Sequence, residues 1–434
     1  MTTGGVDLAA DLGSRPWGES YLVLGFRLAN NLPRDVRKYF VDYYFGPDEL
    51  RKYWADPRTR KGRVGPMKPD KCLHMAEELQ RTIDVGDLLR EAFLRDQLTG
   101  LATTARILRG DSVSYEDTIR LCYGIEPRMP DLGKLEETRE SLREALGCSD
   151  TDMQAALDGW NERHRVPAER LQACLERTAD EARQRTMDFI DLPEGERVTF
   201  EIVGNAEWGG YNWYHKGPGM EEKPLSSLVQ VNAGVPTTFH SIVRLVAHEA
   251  YPGHHTDHAI KEARLYYKGE ERHEASVSFY QTPELPVSEG IGDSAGRLIF
   301  PDTEEMLLWV NRNLLQEGDA MYDVEADARI LESMKGLSGM RDLATYRLRI
   351  EGRSPEAAIE EAMRFSAVPR RTVENFVRGF ASHQLFGPYA FNYRGGEKLV
   401  TEVMEAGGKP LVKRLYEEQH TPSTVRRFVL GQEG

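Results

Sequence analysis

The feature that most limits how this chain can fold is a proline placed inside a histidine-rich helical segment. Of the 11 histidines in the sequence, seven lie between His215 and His273, and the densest group is His248-Glu249-Ala250-Tyr251-Pro252-Gly253-His254-His255. Apolar residues at helical spacing precede this group, which predicts a buried helix with His248 on the opposite side, facing a cleft. Pro252 lacks a backbone donor and its ring crowds the preceding turn, so we expect a kink or bulge there.

The residue types around this helix are those that bind zinc. Catalytic zinc takes neutral imidazoles and carboxylates and leaves one position for water. In the HExxH pattern two histidines one helical turn apart bind the metal, and the glutamate acts as general base. Glu249 matches that base and His248 the first ligand. The position of the second histidine is occupied by Pro252, so the second ligand must come later in the chain.

Two histidines compete for this second position. On an ideal helix His255 is nearly aligned with His248 but lies roughly 10.5 Å further along the axis. A bulge that absorbs two residues would bring His254 to the required place, and because a shared metal needs the shorter separation, we favour His254. His255 would then support the ligands or donate a hydrogen bond to substrate in a catalytic role. The alternative is a helix end with structural histidines, terminated by Pro252-Gly253.

Glu289 is the best candidate for a third ligand. It lies 40 residues after Glu249, which leaves room for a second helix to return alongside the first. Gly292 and Gly296 would let the two helix backbones approach closely, and Asp293 could orient a ligating histidine. The alternative is that Glu289 is only an acidic residue in the first turn of a helix.

Amide hydrolysis also needs a group that stabilises the developing oxyanion. Tyr393, in the segment Phe391-Asn392-Tyr393-Arg394-Gly395-Gly396, offers a phenol beside glycines that expose the backbone. An ordinary packed tyrosine is the alternative interpretation.

These segments carry a family resemblance. HEAYPGHH resembles the HExxPGHH signature of a bacterial family of unknown function within the zincin-like, gluzincin-type metallopeptidases. Val231-Asn232, Glu289-Gly290 and the glycine-rich segment around Tyr393 resemble further family features in the same order. After Glu-Gly the family usually has an aromatic residue and Ala-Leu-Tyr, whereas this chain has Ile291-Gly292-Asp293-Ser294. The resemblance implies a zincin-like helical fold, a zinc ion and peptidase activity, with an edge strand that aligns the substrate backbone.

The pattern along the chain predicts a mainly α protein with one small antiparallel sheet beside the metal site. Glu78 to Arg109 has apolar residues at helical spacing, and Ser354-Pro355 is typical of a helix start. Arg197 to Val203 alternates polar and apolar residues and predicts a strand, followed by strand-like segments up to Asn232. We expect a helical half at 1–194 and a zincin-like catalytic half at 195–434, which form one unit with a cleft between them.

Composition limits the partners and the compartment. The formal net charge of −14 argues against nucleic acid, which requires clustered Lys and Arg. No apolar stretch is long enough to span a membrane, and Met1–Arg15 lacks the basic and apolar regions of a signal peptide, so we expect a cytoplasmic protein. The four cysteines are expected to be reduced and mostly buried.

Three functions fit these features. The first is a zinc peptidase that acts on a peptide or small amide substrate. The second is another metal-dependent amidohydrolase of a small-molecule pathway, built on the same site. The third is a non-catalytic helical binding protein with a vestigial site, against which the joint presence of His248, Glu249 and Glu289 argues.

Overall fold

Apolar residues at helical spacing along most of the chain fold into helices, as expected. The computed structural model describes residues 17–57, 64–204, 206, 208–215, 221–268 and 272–432. The expectation about a signal peptide concerns Met1–Arg15, which lie outside these residues. The mainly α fold with small sheets is confirmed.

The α-helices are α1 Trp17–Ala29, α2 Arg34–Phe40, α3 Pro69–Thr82, α4 Leu88–Arg109, α5 Tyr115–Tyr123, α6 Leu132–Leu146, α7 Met153–Arg163, α8 Leu171–Met187, α9 Phe239–Glu249, α10 His254–Lys261, α11 Leu285–Ile299, α12 Thr303–Asn313, α13 Val324–Gly336, α14 Met340–Thr345, α15 Pro355–Met363, α16 Arg370–Asn375, α17 Ala390–Glu417 and α18 Pro422–Thr424. Some helices continue as π-helical turns, at Glu262–Tyr267, Tyr346–Ile350, Phe376–Ala381 and Val425–Val429. Short 3-10 turns lie at Asp48–Tyr53, Ala168–Arg170, His273–Ser276, Leu337–Gly339 and Gly387–Tyr389.

Local capping chemistry sets several helix ends. Ser354 accepts a hydrogen bond from the amide of Ala357 at 3.2 Å, which confirms the predicted start of α15 at Pro355. The single helix expected from Glu78 to Arg109 is wrong, because α3 ends at Thr82 and α4 begins only at Leu88. Gly86 in the connection has a φ of +69°, a left-handed conformation that glycine adopts without strain.

The sheet beside α9 is mixed, not antiparallel. Its strands are β2 Arg197–Val203, β3 Gly210–Tyr214 and β4 Ser226–Asn232, in the order β2-β4-β3. β3 pairs antiparallel with β4, whereas β2 pairs parallel with it. β4 is the central strand and is buried along nearly its whole length. β2 and β3 therefore do not pair with each other, and β4, which follows them in sequence, lies between them. Strand β2 has the predicted bounds. Its orientation in the sheet depends on which strand it pairs with, and the alternation of polar and apolar residues along β2 does not specify that partner.

A second, two-stranded sheet joins the N-terminal helices to the rest of the molecule. β1 Val41–Tyr44 pairs antiparallel with β5 Val277–Phe279. The ring of Phe279 is fully buried in a core with Phe26 and Phe93 from the N-terminal helices and with Trp54. This sheet was not predicted from the sequence.

The largest hydrophobic core crosses residue 194, where two halves were predicted to meet. Trp160 and Leu175 from the first half lie in one cluster with Val243 and Ile299 from the second. α9 packs in this core, so the segment that carries the histidines is held from both halves of the sequence.

Two smaller expectations concern the cysteines and membrane spans. All four cysteines are free thiols, and Cys72, Cys122 and Cys174 are buried, as predicted. In the part of the chain that the structure describes, no helix combines the length and the apolar character needed to cross a bilayer.

Candidate metal centre

The helix that carries His248 and Glu249 ends directly after them. Ala250 leaves the helical conformation with φ −115° and ψ −92°, and the peptide between Tyr251 and Pro252 is cis. The amide of Gly253 then donates to the carbonyl of Ala247 at 2.9 Å, so the chain folds back onto the end of α9. The predicted kink or bulge is therefore a complete break, after which α10 starts at His254.

This break brings His254, not His255, to His248. The two Nε2 atoms lie 3.1 Å apart, and the rings meet edge to face at 4.6 Å between centroids. Two imidazole ligands of a tetrahedral zinc ion, each about 2.05 Å from the metal, would be about 3.4 Å apart. One ligand atom from each of His248, Glu249 and His254 lies within 4.8 Å of the others, so the three can share one ion.

Glu289 on α11 approaches the group from the side of His248. Its Oε2 lies 3.7 Å from Nε2 of His248, and Tyr389 donates a hydrogen bond to Oε1. Oε2 itself is buried and has no hydrogen-bond partner among the described residues. A buried carboxylate oxygen without a partner is costly, and a divalent cation would satisfy it. The residues present therefore fit a bound metal.

The second ring nitrogen of each histidine is also held. Asp293 Oδ1 lies 3.2 Å from Nδ1 of His248, and the hydroxyl of Ser288 lies 3.2 Å from Nδ1 of His254. Such contacts fix the tautomer and orientation of a ligating imidazole. The role predicted for Asp293 agrees with this geometry. Ser288 and Tyr389 were not predicted, although Tyr389 stands four residues before Tyr393, a spacing that would have indicated a shared face.

Glycines make the room for this arrangement. A Cβ on Gly292 would lie 2.8 Å from Nδ1 of His248, so the imidazole ring occupies the space of a missing side chain. Gly292 therefore lets α11 pack closely against α9, as predicted. A second close approach, which was not predicted, is made by Gly290 and Gly396, where α11 meets α17. Nothing lies within 4 Å of a Cβ built on Gly296.

Carboxyl groups dominate the electrostatics of this group. Burial lowers the pKa of His248, but the hydrogen bond to Asp293 and the charges of Glu249, Asp293 and Glu289 outweigh it and raise the pKa to about 10. Burial and the charge on His248 hold the pKa of His254 well below its usual value. Burial raises the pKa of Glu249, and it raises that of Glu289 to about 7. Three carboxyl groups thus converge where only one imidazole carries positive charge.

Tyr393 lies at the carboxylate side of the centre. Its ring contacts that of Tyr389 at 5.5 Å between centroids. Burial and then the charges of Glu289, Asp293 and Glu249 hold its pKa well above the ordinary value, so the phenol keeps its proton. No hydrogen bond of this hydroxyl occurs within the described ranges.

His255 is placed elsewhere. Its ring is fully buried, with Nδ1 2.9 Å from the hydroxyl of Ser227 and Nε2 2.9 Å from Oε2 of Glu196. Glu196 also accepts from the hydroxyl of Tyr251 at 2.5 Å. Because both ring nitrogens are occupied, His255 holds the histidine segment against the sheet and does not face the centre. The catalytic role predicted for it is not supported by this position, and no sequence pattern indicated Glu196 as its partner.

A cleft of about 550 Å³ opens on His248 and Glu249. Its walls come from α9, α11 and α13, and Gly210 of the edge strand β3 also lines it. The side-chain amide of Asn212, in the same strand, donates to the backbone carbonyl of Glu249 at 2.5 Å. The strand is thus fixed directly to the end of α9.

Known proteins that resemble this chain do so at low sequence identity. No protein-family model and no curated protein matches the sequence. A solved structure from Colwellia psychrerythraea, described as a "putative lipoprotein", is 14% identical, with a TM-score of 0.49 over 84% of this chain and 67% of that one. Another from Shewanella oneidensis, described as a "putative lipoprotein of unknown function", is 11% identical, with a TM-score of 0.47 over 96% of this chain and 89% of that one.

Proposed function

We propose that this protein is a zinc-dependent hydrolase that cleaves a peptide or amide bond. One observation carries the proposal. Two imidazole nitrogens lie 3.1 Å apart beside a buried, unpartnered carboxylate oxygen, and a second carboxylate lies within reach of both imidazoles. Neutral nitrogens with carboxylate oxygens are the donor set of catalytic zinc.

Each residue has a distinct role in this proposal. His248, His254 and Glu289 would hold the ion, which supplies a water of lowered pKa and polarises the substrate carbonyl. Glu249 accepts the proton from the water at its carboxylate and returns it to the leaving nitrogen. Desolvation raises its pKa above that of an ordinary glutamate, which suits a group that must both take and give a proton. Tyr393 donates its hydroxyl hydrogen to the developing oxyanion.

A peptide substrate is supported by the edge of the sheet. β3 is an outer strand of its sheet, lies beside the cleft at Gly210 and is only partly buried. The open edge of a strand offers backbone donors and acceptors to an extended chain. A peptide paired there would run past Glu249.

The metal content of the purified protein tests the proposal first. After dialysis against a zinc buffer, elemental analysis should find about one zinc per chain, as a three-ligand site requires. Less than a tenth of that amount, with no hydrolysis after metal is added, would contradict the proposal.

Glu249→Gln tests the role of the base separately. The variant should keep its zinc and lose hydrolysis by about 10²–10⁴-fold, because only the proton acceptor is removed. Glu317→Gln, at an exposed glutamate outside the cleft, is the matched control and should retain full activity.

A small amide is the second candidate substrate, since a cleft of about 550 Å³ falls in the size range of small-molecule pockets. A substrate panel separates the two. Cleavage of small amides or esters with no cleavage of peptides would assign the protein to small-molecule amidohydrolysis.

A further inference from the structure

One stripe of α9 forms the floor of the cleft. Ser241, Arg244, Leu245, His248 and Glu249 all line it, at the three- and four-residue spacing that places side chains on one helix face. Arg244 stands one turn before His248, so its backbone lies about 6 Å from that of the histidine along the axis.

Arg244 differs from the other cations of this cleft because it has no partner among the described residues. Arg297 and Lys335 both contact Glu397, at 3.4 Å and 2.6 Å. Arg244 is exposed and makes no hydrogen bond or ion pair within the described parts of the chain.

The acidic groups of the cleft leave Arg244 unpaired. Asp293 is engaged with Nδ1 of His248, and Asp302 accepts from the amide of Glu305 as a helix cap. Glu249 of α9 and Glu332 of α13 also line the cleft, and neither makes an ion pair with Arg244. A guanidinium beside a hydrolytic centre is thus left for a ligand.

We propose that Arg244 binds a carboxylate of the substrate, one or two residues from the bond that is cleaved. This inference rests on the function proposed above. A guanidinium donates two parallel hydrogen bonds to a carboxylate. An extended chain advances about 3.4 Å per residue, so a carboxylate near Arg244 lies within two residues of a carbonyl at the metal. The carboxylate is either the C-terminus of a peptide or an acidic side chain.

Peptide binding to the Glu249→Gln protein, loaded with zinc, tests this without turnover. One probe pair is N-acetyl-Phe-Ala with a free C-terminus and its C-terminal amide. The other is N-acetyl-Phe-Asp-amide and N-acetyl-Phe-Asn-amide. By calorimetry, one acid should bind about 10- to 100-fold tighter than its neutral partner, as for hydrogen bonds to charged groups. The pair that shows the preference identifies the source of the carboxylate.

In the Glu249→Gln protein, a second substitution Arg244→Gln should abolish the preference for the acidic peptide, and Arg244→Lys should keep part of it. Arg329→Gln, on the exposed face of α13 and outside the cleft, should keep all of it. Circular dichroism checks that each variant is folded. Equal binding of acids and neutral peptides, or a preference that survives in Arg244→Gln, would overturn the role of Arg244. Absence of zinc, or of hydrolysis of every substrate by the wild-type protein, would instead overturn the proposed function.

Discussion

Each candidate ligand is held in place by a second group before any metal binds. Asp293 and Ser288 occupy the outer nitrogens of His248 and His254, and Tyr389 occupies one oxygen of Glu289. These contacts leave the inner donor atoms directed at one another. A site with fixed ligands loses less conformational freedom on binding, so its affinity depends on the outer groups as well as on the ligands.

Asp293→Ala tests this dependence. Removing the carboxylate frees the ring of His248, and zinc affinity should fall about 10- to 100-fold while the fold is retained. Competition with a chromophoric chelator measures the change. Asp180→Ala, at an exposed position on α8, should leave the affinity unaltered. Unchanged affinity in Asp293→Ala would show that His248 needs no such support.

Gly253 is the residue on which the return of the chain depends. A Cβ at this position would lie 1.8 Å from the carbonyl oxygen of His248 and 2.4 Å from that of Ala247. Both are backbone atoms, so the turn itself must move.

We therefore expect Gly253→Ala to lower zinc affinity and to reduce the free energy of unfolding by roughly 1–3 kcal/mol, as for overpacked sites. Gly159→Ala, in α7 with open space around it, should be neutral or slightly stabilising, because alanine favours helix. Urea unfolding of both variants measures the contrast. Equal stability of the two would contradict a steric need for glycine at 253.

At the level of elements, the candidate metal centre depends on two helices that contact each other through glycine. A Cβ on Gly396 of α17 would lie 1.9 Å from the carbonyl oxygen of Pro286, and one on Gly290 of α11 would lie 2.3 Å from that of Gly396. The same two helices carry Glu289 and Tyr393, so the separation of the helices sets the distance between these two side chains.

Gly396→Ala should push the helices apart. We expect a loss of roughly 1–3 kcal/mol in unfolding free energy. We also expect kcat to fall while KM changes little, because Tyr393 contacts the transition state in the proposed mechanism. Thermal unfolding and steady-state kinetics measure both. A destabilised variant with full kcat would separate the packing of these helices from the position of Tyr393.

How much of the structure could be predicted depends on how far apart in sequence the interacting residues lie. The helical class, strand β2 and the cap at Ser354 depend on local patterns, and these were confirmed. The pairing of β2 with β4 and of β1 with β5 depends on residues far apart in sequence, and it was not foreseen. At the site, ligand chemistry and the break at Pro252 indicated His248, His254 and Glu289. The partners of His255 are set by tertiary packing, which no motif encodes.

At the scale of the whole molecule, the core extends across both halves of the sequence and buries ionisable groups with it. Asp342 on α14 is 7% exposed, and Arg394 of α17 lies 3.8 Å from its carboxylate. Burial raises the pKa of Asp342 to about 7, although the charges of Arg394 and Arg341 act in the opposite direction. In an unfolded chain an aspartate titrates at about 3.9.

This difference makes stability depend on pH. Below about pH 4 the carboxyl is protonated in both states. Between about pH 4 and 7 the unfolded chain releases the proton while the folded protein keeps it, so stability falls as pH rises and levels off above pH 7.

An amide in place of this carboxyl resembles the protonated form at every pH. We therefore expect Asp342→Asn to match the wild-type protein near pH 4 and to exceed its unfolding free energy by roughly 1–4 kcal/mol at pH 8. Urea unfolding in EDTA, which removes metal linkage, measures the difference at each pH, with exposed Asp180→Asn as control. Parallel curves for Asp342→Asn and wild type would contradict a buried, protonated Asp342, because other titrating carboxyls contribute equally to both proteins.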